Sequence, residues 1–240
     1  MLLRLPTSVS EAQEYLAQGA VPIGGATLVW AGWQRDGFPD LAMSLRELPE
    51  ANGIGRETLG AAVLLHRIDE RVPEVLRRAA GTVGTGAVRR TATVGGNIVG
   101  STLRCLLPAA LVLDARATVL SKERTYETDL TDLLAERRLL LSLAWSAPVA
   151  SGYRKLPADA GGPPPLVVAT AVHRGEDGRR LLRVAVRDGY EVVDETTGHC
   201  ANAEDAADAV DAGALGALPA QARTVVREEI KDVLSRADER

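Results

Sequence analysis

Residues 91–102 read Thr-Ala-Thr-Val-Gly-Gly-Asn-Ile-Val-Gly-Ser-Thr. A β-branched run leads into two adjacent glycines, an asparagine and then small hydroxyl residues. Without Cβ atoms, Gly95 and Gly96 can take positive φ or let backbone N–H groups converge on an anion. The pattern has an earlier counterpart in "AVPIGGATL", where Gly24 and Gly25 follow a short apolar strand. Thr27 beside the first pair, and Thr93, Asn97, Ser101 and Thr102 beside the second, add hydroxyl and amide hydrogen-bonding groups. Neither pair precedes a Lys-Ser/Thr, so neither is a P-loop, and neither fits Gly-x-Gly-x-x-Gly. Alone, each pair reads first as a turn. Two of them in one chain raise the question of a phosphate seat.

Composition narrows the classes. The 240 residues are 46% hydrophobic and 25% charged, the balance of a folded globular chain long enough to bury a core. Aromatic residues make up only 3%, so the core is aliphatic. A net charge of −4 argues against a general nucleic-acid binder. Two cysteines, Cys105 and Cys200, cannot supply the four or so thiolates of an iron–sulfur cluster. His66, His173 and His199 lie far apart without metal-ligand spacing, and the adjacent His199–Cys200 reads as loop. No metal site is expected. The opening "MLLRLPTSVSEAQEYL" has neither an apolar core nor a small-residue cleavage site, and no stretch approaches the ~20 apolar residues of a membrane span. A cytoplasmic protein away from the membrane is expected.

Along the chain, "PTSVSEAQEYLAQGA" is a helix capped by Ser8 or Ser10 and ended by Gly19. "AVPIGG" is a short strand, "ATLVWAGWQRDG" a helix stopped by Gly37, and "DLAMSL" another strand. "GIGRETLGAAVLL" contains a third strand, and "HRIDERVPEVLRRAAGTVG" is helical with Val72, Val75, Leu76 and Ala79 on one face. "CLLPAALVLDA" is a helix that tolerates Pro108 near its start. "RATVLSK" is a strand, and "TDLTDLLAERRLLLSLAWS" a helix feeding one. From about residue 150, "SGYRKL", "PLVVATAVHR" and "RLLRVAVRD" are antiparallel strands, the last two joined by a polar turn. Two helices follow, and "DAGGPPP" at 159–165 is a loop. The order predicts an α+β fold in two or three subdomains.

The stretch from Leu59 to Leu120 resembles the FAD-binding domain of the molybdenum hydroxylases. That family includes the flavin subunits of xanthine dehydrogenase and aerobic carbon monoxide dehydrogenase. Its Arg-x-x-Ala-Thr-hydrophobic-Gly-Gly-Asn signature is matched by Arg89, Arg90, Ala92, Thr93, Val94, Gly95, Gly96 and Asn97. "PIGGATLV" is similar to the family's first FAD loop, and "FPDLAMSLRELPEANGI" to the stretch after it. The likeness covers residues 1–120 well and 150–240 through "YRKL", "LVVATAV" and the terminal helix.

The resemblance implies a vanillyl-alcohol-oxidase-type FAD-binding fold of two small α/β subdomains plus a C-terminal α+β domain. The expected boundaries are 1–148, with subdomains of about 1–55 and 56–148, and 149–240. Carried over position by position, it implies a first diphosphate loop of Ile23, Gly24, Gly25, Ala26, Thr27 and Leu28. Thr93, Gly95, Gly96, Asn97 and Ser101 would form the second, and Lys155 would lie near the flavin. The family's ribose-binding aspartate falls at Cys105, within "GSTLRCLLPAA", which lacks the usual proline and is one residue shorter. The family's Phe-Phe-x-Gly loop has no counterpart. A catalytic thiol at Cys105 would need a base, and no histidine partner is assignable, so no catalytic residue is named. The implied activity is electron transfer through FAD between a molybdopterin large subunit with a [2Fe–2S] small subunit and a small-molecule acceptor. The alternative is a stand-alone homologue, a homo-oligomer included, that acts on a small-molecule substrate with weak or lost FAD binding.

Overall fold

Leu41–Ser44 forms the middle strand of a three-stranded parallel sheet in the computed structural model, which describes residues 1–157, 161–175, 177–198 and 202–239. The helices are α1 (Val9–Ala17), α2 (Val29–Asp36), α3 (Pro49–Asn52), α4 (Glu74–Gly81), α5 (Gly86–Arg89), α6 (Leu107–Val112), α7 (Leu130–Ala135), α8 (Ala203–Asp211) and α9 (Ala220–Asp238). The chain divides into two units. One comprises Met1–Val72, Val83–Arg104 and Ala115–Trp145, the other Pro73–Thr82, Cys105–Asp114 and Ser146–Arg240.

In the first unit, β1 (Leu2–Arg4), β2 (Val21–Ile23) and β3 (Leu41–Ser44) pair in parallel in the order β1-β3-β2. Ser8 caps α1 by accepting the Glu11 N–H at 3.2 Å, and Gly19 closes it at φ +84°. Ala42 and Met43 are fully buried, and Met43 clusters with Ala12, Ala20, Leu45, Leu48 and Ala51. A second sheet is antiparallel: β4 (Thr58–Gly60), β5 (Arg116–Leu120), β6 (Thr125–Thr128) and β7 (Leu140–Ala144), in the order β4-β7-β5-β6.

The second unit is an antiparallel meander of β8 (Ala150–Lys155), β9 (Val167–Arg174), β10 (Arg180–Asp188) and β11 (Glu191–Thr197). Val167–Val172 is buried throughout, so both faces of β9 are covered. Val168, Val172, Val184 and Val186 join Ala206, Val210, Val226, Ile230 and Val233 of α8 and α9 in one core. Helices α4 and α6 also contact these strands, and so belong with a sheet that lies far later in sequence.

Tyr153 of β8 is 2% exposed, and its hydroxyl lies 3.1 Å from Thr82 Oγ1. Burial pushes its phenol up to about 12. The fold therefore holds this proton more tightly than the unfolded chain. The resulting stability is whole below pH 10 and is lost as pH rises through about 12. Two pH units correspond to about 3 kcal/mol. Tyr153→Phe is expected to cost about 1 kcal/mol at neutral pH and to flatten that alkaline loss, as read by denaturant titrations at successive pH values.

Several expected elements differ. The helix expected across His66–Gly84 is confined to α4, with one 3-10 turn at Leu65–Arg67, because Pro73 restarts the chain. The strand expected before Gly95 shrinks to a single bridge between Leu64 and Thr93. Strands β1, β6 and β11 add to the expected set: β11 reads Glu-Val-Val-Asp-Glu-Thr-Thr, too polar to stand out as a strand. His199 and Cys200, and residues 158–160 around the expected loop, lie outside the described residues. Among the described residues, no helix is long and apolar enough to cross a membrane, and no group of three His, Cys, Asp or Glu side chains could hold a metal.

Candidate functional site

Strand β2 ends at half-buried Ile23, paired with Ser44, and the chain then runs through Gly24–Leu28 into α2. The backbone N–H groups of Gly24, Gly25, Ala26, Thr27 and Leu28 make no hydrogen bond among the described residues. Ala26 takes φ +55°, in the left-handed region, while Leu28 caps α2 at φ −108°, ψ −42°. A left-handed residue within such a run turns successive N–H groups to one side, the geometry that receives an anion. The first turn of α2 adds its own positive end.

The second glycine pair is built differently. Val94 N–H donates to Val63 O (3.0 Å), Gly95 N–H to Ala61 O (2.8 Å), Gly96 N–H to Thr93 Oγ1 (3.1 Å) and Asn97 N–H to Thr93 O (3.0 Å). Gly96–Gly100 then winds as one π-type turn, a distortion common at functional sites. Asn97 is 6% exposed. These amides are committed within the chain, so the second loop acts as a wall. The first loop is pressed on that wall: a Cβ on Gly25 would lie 1.6 Å from Thr91 O, and one on Gly24 2.4 Å from Thr93 Oγ1. A Cβ on Gly95 would come within 3.1 Å of Ala61 Cβ. Thr93 is the hinge of the arrangement. Its oxygen accepts from Gly96, which leaves its hydroxyl hydrogen to donate.

The remaining expected residues are placed as follows. Ser101 Oγ accepts the Leu103 N–H at 3.2 Å. Lys155 belongs to the second unit, where its Nζ donates to Thr82 O at 2.8 Å. Cys105, also in the second unit, is 4% exposed, and its Sγ accepts from Arg187 Nη1 at 3.5 Å. Arg187 is itself 1% exposed and donates to Pro165 O at 2.6 Å. Nothing in the sequence singled it out, since an arginine at the end of "RLLRVAVRD" reads as surface. The left-handed Ala26 was likewise unsignalled, because alanine carries no turn signature.

The donor set of the first loop suits a diphosphate: a run of uncommitted amides and a nearby threonine hydroxyl, with glycines at 24 and 25 that let the loop close onto the Thr91–Thr93 segment. A parallel strand that turns through such a nest into a helix, in a mixed α/β architecture, is an arrangement able to receive a phosphate group. The profile of the FAD binding domain in molybdopterin dehydrogenase matches residues 3–141, and the chain belongs to that family. The fold is shared with solved enzymes across nearly the whole chain. A chain of quinoline 2-oxidoreductase from Pseudomonas putida 86 is 18% identical at a TM-score of 0.70, covering 99% of this chain and 96% of that one. A chain of the Cu,Mo-CO dehydrogenase in its cyanide-inactivated form and one of the reconstituted CO dehydrogenase from Oligotropha carboxidovorans are each 17% identical at 0.72, covering 99% of this chain and 97% of theirs. No curated protein matches the sequence. FAD is the cofactor of this family's domain, and the first loop fits its diphosphate.

Proposed function

We propose that the chain is the FAD-carrying redox component of a molybdenum hydroxylase, passing electrons between partner chains and a small-molecule acceptor. The observation that carries this reading is the run of uncommitted amides at Gly24–Leu28 around left-handed Ala26. Backbone dipoles can hold a dianionic diphosphate without lysines in a protein of net charge −4. In this assignment Ile23 leads into the loop and Gly24, Gly25, Ala26, Thr27 and Leu28 receive the diphosphate. Thr93 donates its hydroxyl; Gly96 and Asn97 hold Thr93 through their N–H groups, and Gly95 anchors the segment on Ala61 O. The resemblance adds Ser101, Cys105 and Lys155 around the rest of the cofactor. When bound, the flavin supplies the hydride and electron chemistry. The residues of this chain bind and orient it.

The partners are a molybdopterin large subunit and a [2Fe–2S] small subunit, since the chain carries only two cysteines of its own. The assembly is cytoplasmic. A second reading is a stand-alone homologue that acts on a small molecule with weakened flavin affinity. It draws on Cys105, which takes the place of the family's aspartate and is buried against Arg187. A fluorescence titration with FAD separates the two. Saturable one-to-one binding, and co-purification with a molybdopterin chain and a cysteine-rich chain, is the expected result. Weak FAD binding by a protein that purifies alone selects the second reading. A protein that stays colourless after incubation with FAD overturns the first.

A further inference from the structure

Helix α2 has no buried residue. An exposed eight-residue helix ordinarily carries polar side chains, because a helix this short is held by burial of one face. This one instead carries two of the chain's three tryptophans, and the single phenylalanine follows at position 38. Trp30 is 48% and Phe38 43% exposed, in a protein otherwise poor in aromatic residues. The rings brace one another edge to face. Trp30 and Phe38 lie 5.2 Å apart at 70°, and Trp33 and Phe38 6.1 Å apart at 60°. A Cβ on Gly32, between the two tryptophans, would meet nothing within 4 Å. The cluster is thus an ordered aromatic surface that serves no core.

Its position gives it a use. The Trp30 backbone N–H donates to Ala26 O at 3.1 Å, so Trp30 starts one helical turn from the left-handed residue of the nest. An anion seat beside an aromatic surface matches a nucleotide, whose phosphates and planar rings are covalently joined. We propose that Trp30, braced by Phe38 and Trp33, is a stacking platform for a planar ring of the dinucleotide whose diphosphate the Gly24–Leu28 loop takes. This rests on the diphosphate reading of that loop.

The test uses the full chain and four probes: FAD, ADP, FMN and inorganic pyrophosphate. Two of the three tryptophans, Trp30 and Trp33, lie on α2, and Trp145→Phe removes the third, so tryptophan emission in that background reports on α2. FAD is expected to quench it, pyrophosphate to bind without quenching, and the stronger quencher of ADP and FMN to identify the stacked ring. Trp30→Ala should weaken FAD about tenfold, the scale of one lost base–aromatic stack, with pyrophosphate affinity by calorimetry unchanged. Trp30→Phe should restore most of the affinity. FAD affinity unchanged in Trp30→Ala overturns the platform and leaves the diphosphate loop standing. Equal losses for FAD and pyrophosphate also overturn it, since Trp30 would then act on the loop's shape. If wild-type protein binds neither FAD nor pyrophosphate, the diphosphate reading falls and the platform with it.

Discussion

Gly25→Ala is expected to abolish measurable FAD binding and to lower the melting temperature in the same variant. The added Cβ would sit 1.6 Å from Thr91 O and 2.3 Å from Thr91 C, both backbone atoms that no rotamer change can move. The Thr91–Thr93 segment cannot retreat easily. Leu65 N–H donates to Ala92 O at 3.0 Å, and Thr91 and Ala92 N–H donate to Val88 O at 3.1 and 2.8 Å. The first loop must therefore lift off its wall. Overpacking of this kind costs about 1–3 kcal/mol where side chains can adjust, and the upper end is expected here. At about 2–4 °C per kcal/mol for a chain of this size, the melting temperature should fall roughly 6–12 °C. Two lost amide bonds to a charged phosphate, at about 1.5–3 kcal/mol each, would raise the FAD Kd at least a hundredfold. Gly32→Ala is the control, since its Cβ meets nothing within 4 Å. It should bind FAD normally and melt no lower. Wild-type FAD affinity in Gly25→Ala would remove the loop from the cofactor site.

The glycine pairs also mark what the sequence could convey. Their presence after short strands is a local signal, and so are the Ser8 cap, the Gly19 stop and the apolar, valine-rich runs of β9 and β10. Each of these depends on a few neighbouring residues, and the chain follows them. What the pairs are for depends on partners distant in sequence. Gly25 is required by Thr91, whereas Gly95 is required by Ala61. The same dipeptide thus serves an open loop in one place and a closed wall in the other. Helices α4 and α6 show the same limit: their apolar faces predict burial but not that the cover comes from β8–β11. Arg187 and Trp30 invert the usual signs, with a charge at 1% exposure and a tryptophan at 48%. Residues whose burial contradicts their type are where tertiary structure overrides pattern.

The second large effect is expected at Gly152, inside β8 and opposite Thr170 of β9. A Cβ there would lie 2.4 Å from Glu229 Oε1, 2.8 Å from Thr170 Oγ1 and 3.0 Å from Arg236 Nη2. These are side-chain atoms, so the question is whether they can yield. Glu229 and Thr170 are 3% and 0% exposed. Arg154 Nε holds the other Glu229 oxygen at 3.1 Å. Arg236 Nη1 is fixed by Ser151 O at 2.9 Å and Glu74 Oε2 at 3.0 Å. Glu229 Oε1 and Thr170 Oγ1 have no hydrogen-bond partner among the described residues, and burial pushes the Glu229 carboxyl above the ordinary range. The site is already costly, with no slack to absorb a methyl group. Gly152→Ala should therefore destabilise by about 3 kcal/mol, the upper end of overpacking, a fall of roughly 6–12 °C in melting temperature. Combining it with Glu229→Ala, which removes the obstructing carboxylate, should restore part of that loss as a favourable coupling in the double-mutant cycle. The Gly24–Leu28 loop belongs to the first unit. Affinity for pyrophosphate, the part the loop receives, should therefore be unchanged well below the melt in Gly152→Ala, opposite to the outcome expected for Gly25→Ala. Additive losses in the cycle would show that Gly152 is needed for its backbone rather than for the space it leaves to Glu229.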